Sequence, residues 1–120
     1  MLKNNNTEKP RPPTVDEFQK FRPKRLDFSW NVKSDGLVEI KVPKFNSNFG
    51  KSFCKLVKKD NIFTANLDEL GSFVWQNCDG LKTVEEILEL VKKEFPGQEN
   101  IDQRLFLFLR QMQSLNYIEL

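Results

Sequence analysis

Histidine is absent from all 120 residues of this chain. Its absence excludes the histidine-dependent nucleophile systems, an imidazole general base and most zinc sites. The two cysteines, Cys54 and Cys78, have no Cys-x-x-Cys spacing and sit among apolar neighbours, so we expect buried thiols rather than a disulfide or a ligand pair. We therefore expect no metal site, no cofactor and no enzymatic activity.

Long apolar runs are also missing from the sequence. No stretch approaches the roughly 20 apolar residues that span a bilayer, and the first residues lack the charged and then apolar pattern of a secretion leader. We therefore expect a cytoplasmic protein with no membrane partner.

Charge is unevenly placed along the chain, although the net charge is only +2. Residues 1–26 carry seven Lys or Arg against three Asp or Glu, together with four prolines. A basic arm can bind nucleic acid or anionic lipid, but this composition is more typical of a solvated tail. We expect residues 1–26 to be largely disordered, except for one helical turn around Val15 to Phe21, capped by Thr14, from which Phe18 and Phe21 could dock on the domain.

Alternation of apolar and polar residues predicts strands in the next part of the chain. Phe28 to Val42 has the pattern of a β-hairpin, and Ile62 to Asn66 that of a third strand. Between them, an insertion at about 44–60 has the spacing of a short basic amphipathic helix. We expect this helix to pack on the sheet, the alternatives being a membrane surface or an acidic peptide as its partner.

Three amphipathic helices are predicted after the third strand. The first runs from about Glu69 to Cys78, with Asp68 as its N-cap, and ends at Gly80. The second begins at a capping box formed by Thr83 and Glu86 and stops at Pro96-Gly97.

The third predicted helix begins with Asn100 as a cap and has apolar residues on two sides. Its inward arc is Ile101, Leu105, Phe108, Leu109, Met112 and Leu115. Phe106 and Leu107 fall outside this arc, beside Gln103 and Arg110. This second face either receives a segment of a partner or is core covered by the final strand or the insertion, and the sequence leaves both readings open.

The predicted order is three strands, three helices and a short C-terminal strand over Tyr117 to Leu120. The connections are short enough for one domain over residues 27–120, which includes the insertion. We therefore predict an α+β, winged-helix-like fold in which a three-stranded antiparallel sheet precedes three α-helices. The strand Ile62 to Asn66 is the candidate sheet edge, where a peptide could add as a further strand.

The string from Leu67 to Trp75, with Cys78-Asp79-Gly80 and the residues from Thr83 to Ile87, resembles the PqqD-like family. Members of that family are recognition elements, or peptide-modification chaperones, for the precursors of ribosomally made natural products. The resemblance implies that a leader peptide adds to the third strand beside the third helix and passes to a radical S-adenosylmethionine enzyme. By position, the implied peptide contacts are Ile62, Phe63, Thr64, Ala65, Gln103, Phe106, Leu107 and Arg110.

A competing hypothesis is a winged-helix nucleic-acid-binding domain or a general protein-interaction domain. The helix count and the basic front half of the chain motivate it. We do not expect nucleic acid as a partner, because the second and third helices carry few cations beside an acidic face.

Overall fold

The computed structural model describes residues 11–43 and 62–120. In chain order these residues form α1 (Val15–Phe18), β1 (Lys24–Arg25), β2 (Ser29–Val32), β3 (Val38–Pro43), β4 (Ile62–Asn66), α2 (Glu69–Asn77), α3 (Val84–Glu94), α4 (Ile101–Ser114) and β5 (Ile118–Glu119). The predicted α+β class is confirmed, since the antiparallel sheet β2-β3-β4 precedes three helices and a C-terminal strand. The insertion at about 44–60, its expected helix and Cys54 lie outside the described residues.

The sheet is built around β3, which pairs with a neighbour on each side. Trp30 of β2 and Ala65 of β4 both lie opposite Ile40. The β2–β3 turn closes because Gly36 adopts a left-handed backbone with φ of 87°, which costs glycine little. Alternate residues of β3, beginning at Val38, are buried and make this face of the sheet one wall of the core.

Of the three helices that follow the three-stranded sheet, α2 and α3 begin with the side-chain capping bonds expected from the sequence. The Asp68 carboxylate accepts from the Gly71 N–H with a distance of 2.7 Å between N and Oδ1. Thr83 and Glu86 form the reciprocal capping box at the start of α3. Asn100 is the N-cap residue of α4 as expected, but its backbone is left-handed with φ of 56° and its side chain makes no capping hydrogen bond.

The core lies between the sheet and the inward faces of the three helices. Trp75 of α2 is fully buried and meets Trp30 edge-to-face, with 6.1 Å between ring centroids. Cys78 is buried, as expected. Leu115, expected to point inward, is 48% exposed because α4 ends at Ser114. In the part of the chain that the structure describes, no helix is long and apolar enough to cross a bilayer.

Residues 11–21, which we call the strap, pack across α4 instead of extending into solvent. Thr14 caps α1 as expected, and Phe18 is only 5% exposed. Its ring lies edge-to-face against Phe106, with 5.3 Å between centroids. The helical turn that the sequence predicts around Val15 to Phe21 is therefore present, and Phe18 docks on the domain. Residues 1–10 lie outside the described part, and a separate tail over residues 1–26 stays a prediction.

Backbone hydrogen bonds tie the strap and the residues after it to the domain. The N–H groups of Val84 and Glu85, in the first turn of α3, donate to the carbonyls of Phe21 and Gln19 at 2.8 and 3.1 Å. Farther along, β1 pairs with β5 in an antiparallel ladder. The strap therefore supplies acceptors to helix amides that the helix itself cannot satisfy.

Replacing Phe18 with Ala should lower the free energy of unfolding by about 3 to 5 kcal/mol, because a buried phenyl ring is lost and a cavity remains. Urea denaturation of the full chain measures this change. The matched control is Val15→Ala on the same helical turn, where the side chain is 58% exposed and the change should stay within about 0.5 kcal/mol. Equal effects of the two substitutions would contradict the packing of the strap.

Candidate functional site

Strand β4 forms one edge of the three-stranded sheet. It pairs with β3 on one side, and no strand among residues 11–43 and 62–120 pairs with its other side. A strand in this position has backbone N–H and C=O groups available to a further strand.

The hydrogen-bond register decides which backbone groups face that open side. Beyond the end of β4, the Leu67 N–H donates to the Val38 carbonyl with an N to O distance of 2.9 Å. The backbone N–H and C=O groups of successive residues point to opposite sides of a strand. Every second residue before Leu67, namely Ala65 and Phe63, therefore also directs these groups toward β3. Thr64 therefore directs its N–H and C=O to the open edge.

The side chains of β4 alternate between the two faces of the sheet. Phe63 and Ala65 lie opposite the buried Val42 and Ile40, so they are on the core face. Phe63 is nevertheless 43% exposed. An aromatic side chain on the core face, still half exposed, lies beside the open backbone edge.

The hydroxyl of Ser72 joins the end of the β3–β4 ladder to α2. Ser72 is buried, and its Oγ accepts from the Val38 N–H at 2.8 Å and donates to the Leu67 carbonyl at 3.3 Å. The hydroxyl thus takes the place of the next direct hydrogen bond between Val38 and Leu67. This bridge fixes the start of α2 against the end of β4.

Phe108 lies on the flank of α4 that packs against the junction between β4 and α2. A Cβ atom added to Gly71 would lie 2.9 Å from Phe108 Cε1 and 3.4 Å from Leu67 Cβ. The Phe108 ring therefore lies where β4 passes into α2, and a side chain at position 71 would force this ring to move. The sequence indicated Phe108 as an inward residue of the helix but gave no signal of its position near the sheet edge.

The four predicted α4 residues do not share one environment. Phe106 and Phe108 are two residues apart, which places them about 160° apart around the helix at about 100° per residue. Phe106 packs on Phe18 of the strap, and Arg110 lines a small cavity with both of them. Leu107 is 69% exposed, and Gln103 is exposed as well.

The sequence suggested the final strand or the insertion as the cover of this face, whereas the structure shows a different segment over Phe106. Phe106 is covered, and the cover comes from Phe18 of the strap. Leu107 stays largely accessible among the described residues. The structure thus brings the four strand residues together on one edge, and it joins Phe106 and Arg110 to the strap.

The ionisable groups near these surfaces have structural explanations. Burial raises the pKa of the Cys78 thiol to about 12, so this thiol is protonated at neutral pH. Hydrogen bonds from Lys82 and from the Leu81 backbone lower the pKa of Asp79 to about 2. No cluster of three or more potential metal ligands occurs within residues 11–43 and 62–120. The features that remain at β4 are an unpaired backbone and adjacent apolar side chains.

The three-stranded sheet with an open edge, followed by a layer of helices, defines a small α+β domain. The family model described as Coenzyme PQQ synthesis protein D (PqqD) matches residues 59–118, half of the chain. The chain belongs to the PqqD family, whose members are non-catalytic, peptide-binding accessory domains. Comparison with curated proteins and with solved structures gives no match.

Replacing Ser72 with Ala should lower the free energy of unfolding by about 2 kcal/mol, because a buried N–H and a carbonyl each lose a partner. Urea denaturation measures the loss, and amide hydrogen exchange at Val38 should become faster. Ser29→Ala on the exposed side of β2 is the control and should change stability by less than about 0.5 kcal/mol. If both alanine variants unfold at the same urea concentration, the hydroxyl bridge does not stabilise the fold.

Proposed function

We propose that this protein is a non-catalytic module that binds the leader of a ribosomally synthesised precursor peptide by strand addition and presents it to a modifying enzyme. The observation that carries the proposal is the open edge of β4, where the backbone N–H and C=O groups of Thr64 and Asn66 point away from β3. Membership of the PqqD family supports peptide as the class of ligand.

Backbone pairing would supply most of the affinity with little demand on the leader's sequence. Thr64 offers one N–H and one C=O to an added strand, and Asn66 does the same one step farther along. Each such hydrogen bond contributes about 0.5 to 1.5 kcal/mol net. A leader that pairs with both residues would therefore be held without a deep pocket.

Side chains next to the edge would supply selectivity. Phe63 and Ala65 on the core face, with Phe108 at the end of the strand, form an apolar lining for alternate side chains of an added strand. Ile62 and Thr64 would contact the leader from the outer face. We therefore expect a leader with apolar residues at every second position.

The four predicted α4 residues differ in how accessible they are to a bound leader. Leu107 and Gln103 are exposed and could extend the contact beyond the strand. Phe106 and Arg110 would join only after displacement of the strap, because Phe18 packs on Phe106.

The second partner in the proposal is a radical S-adenosylmethionine enzyme that modifies the presented peptide. Family resemblance supports this partner, and the genes around this one test it. A short peptide gene beside a gene for such an enzyme is the expected arrangement. The nucleic-acid alternative gains no support from α4, whose arginines Arg104 and Arg110 lie about 120° apart around the helix.

Replacing Thr64 with Pro should weaken leader binding at least about tenfold, since it removes a donor from the open edge but none that bonds β3. The probes are synthetic peptides translated from short reading frames next to this gene, with affinity measured by calorimetry on the full chain. Thr64→Val is the control: it keeps the N–H and the branched Cβ, removes only the hydroxyl that accepts from Lys41, and should bind within about twofold of the parent.

The location of the bound peptide provides the second readout. In the isotope-labelled protein, a binding peptide should shift the amide resonances of residues 62–66 most strongly. Unchanged affinity in the proline variant, or peptide-induced shifts confined to residues 11–26, would be incompatible with strand addition at β4.

A further inference from the structure

A cleft of about 1010 Å³ lies between the strap and the C-terminal half of α4. The residues on which the following argument depends are Arg11, Glu17, Lys20, Phe21, Arg110 and Leu120, all of which line it. Phe21 and Leu120 are half-buried and provide apolar surface. Lys20 and Arg110 are exposed.

This cleft lies on a different flank of α4 from the open edge of β4. Its floor includes Phe18, whose ring covers Phe106, whereas Phe108 faces Gly71 near the end of β4. A ligand in the cleft would therefore leave the β4 edge accessible. The inference below does not depend on leader binding at β4.

The charge lining the cleft is positive after internal pairing. Arg11 donates two hydrogen bonds of 2.9 Å to the Glu17 carboxylate, so these two charges offset each other. The same bonds lower the pKa of Glu17 to about 2, which keeps the pair ionised at neutral pH. Among the described residues, Lys20 and Arg110 form no ion pair. Lys20 and Arg110 outnumber the remaining anionic group at the lining, the α-carboxylate of Leu120, so the cleft keeps a net positive charge beside its apolar surface.

The parts of this chain outside the described residues do not complement that charge. Residues 1–10 contain two lysines and one glutamate, and residues 44–61 contain five lysines and one aspartate. Both segments are net positive, so placing either over Lys20 and Arg110 would bring like charges together. Charge therefore favours an occupant from another protein.

We propose that this cleft docks a short segment of a partner protein in which one or two carboxylates flank an apolar side chain. Arg110 would bind a carboxylate through two parallel N–H donors, which is the geometry of the stronger charge-assisted hydrogen bonds. Lys20 would bind the second carboxylate as a point charge. The apolar side chain would pack on Phe21 and Leu120.

The test uses a displayed library of random decapeptides selected on the full chain and counter-selected on its Arg110→Gln variant. The surviving peptides should be enriched in Asp and Glu next to apolar residues. Fluorescence anisotropy should show at least about a tenfold loss of affinity in Arg110→Gln, a smaller loss in Lys20→Gln, and weaker binding at high salt. The matched control is Arg104→Gln, the same substitution on another flank of α4, which should bind within about twofold of the parent.

The same peptides separate this surface from the β4 edge. They should shift the amide resonances of Lys20, Phe21 and Arg110, and Thr64→Pro should not change their affinity. The proposal is overturned if no peptide distinguishes the parent from Arg110→Gln, or if the distinguishing peptides show no excess of acidic residues. Concentration-dependent dimerisation that Arg110→Gln abolishes would also overturn it, because a second copy of the chain would then be the occupant.

Discussion

A single buried hydroxyl, that of Ser72, determines where the sheet stops and the helices begin. It accepts from the Val38 N–H and donates to the Leu67 carbonyl, which are the two groups that would otherwise bond each other directly. A side chain of α2 thus replaces the next hydrogen bond of the β3–β4 ladder. Strand β4 therefore ends at Asn66, and α2 begins at Glu69. Because α2 is tied to β3 at this point, Trp75 reaches Trp30 in the core, and the open edge of β4 comes to lie beside helices.

The position of α4 follows from the same junction. Gly71, one residue before Ser72, has no side chain, and the ring of Phe108 occupies the space that a Cβ atom would need. One flank of α4 is therefore fixed close to the end of β4. The opposite flank, with Phe106 and Arg110, is then turned away from the sheet edge, and the strap packs there. A fold of this size thus has two separate surfaces on one helix.

The features that the sequence predicted correctly are those whose physical cause is local. Asp68 as a helix cap, the Thr83–Glu86 capping box and the alternation of β3 each depend on neighbours within a few residues. The α4 pattern showed two apolar faces, but it could not show that Phe106 meets Phe18, because this contact joins residues far apart in the chain. The sequence did predict the helical turn of the strap, its Thr14 cap and the docking of Phe18, but not the helix on which Phe18 packs. Asn100 has the residue type of a cap, but its left-handed backbone leaves its side chain without a capping bond.

The order of the strap has a cause in the backbone as well as in the burial of Phe18. The first turn of α3 has four N–H groups with no partner inside the helix, and its capping box satisfies two of them. The other two, on Val84 and Glu85, donate to the carbonyls of Phe21 and Gln19. Any residue type has a carbonyl, so no side-chain pattern reveals this demand. Since detaching the strap would leave two helix amides without these acceptors, the strap is held on its flank of α4, and it does not cover the flank nearer β4.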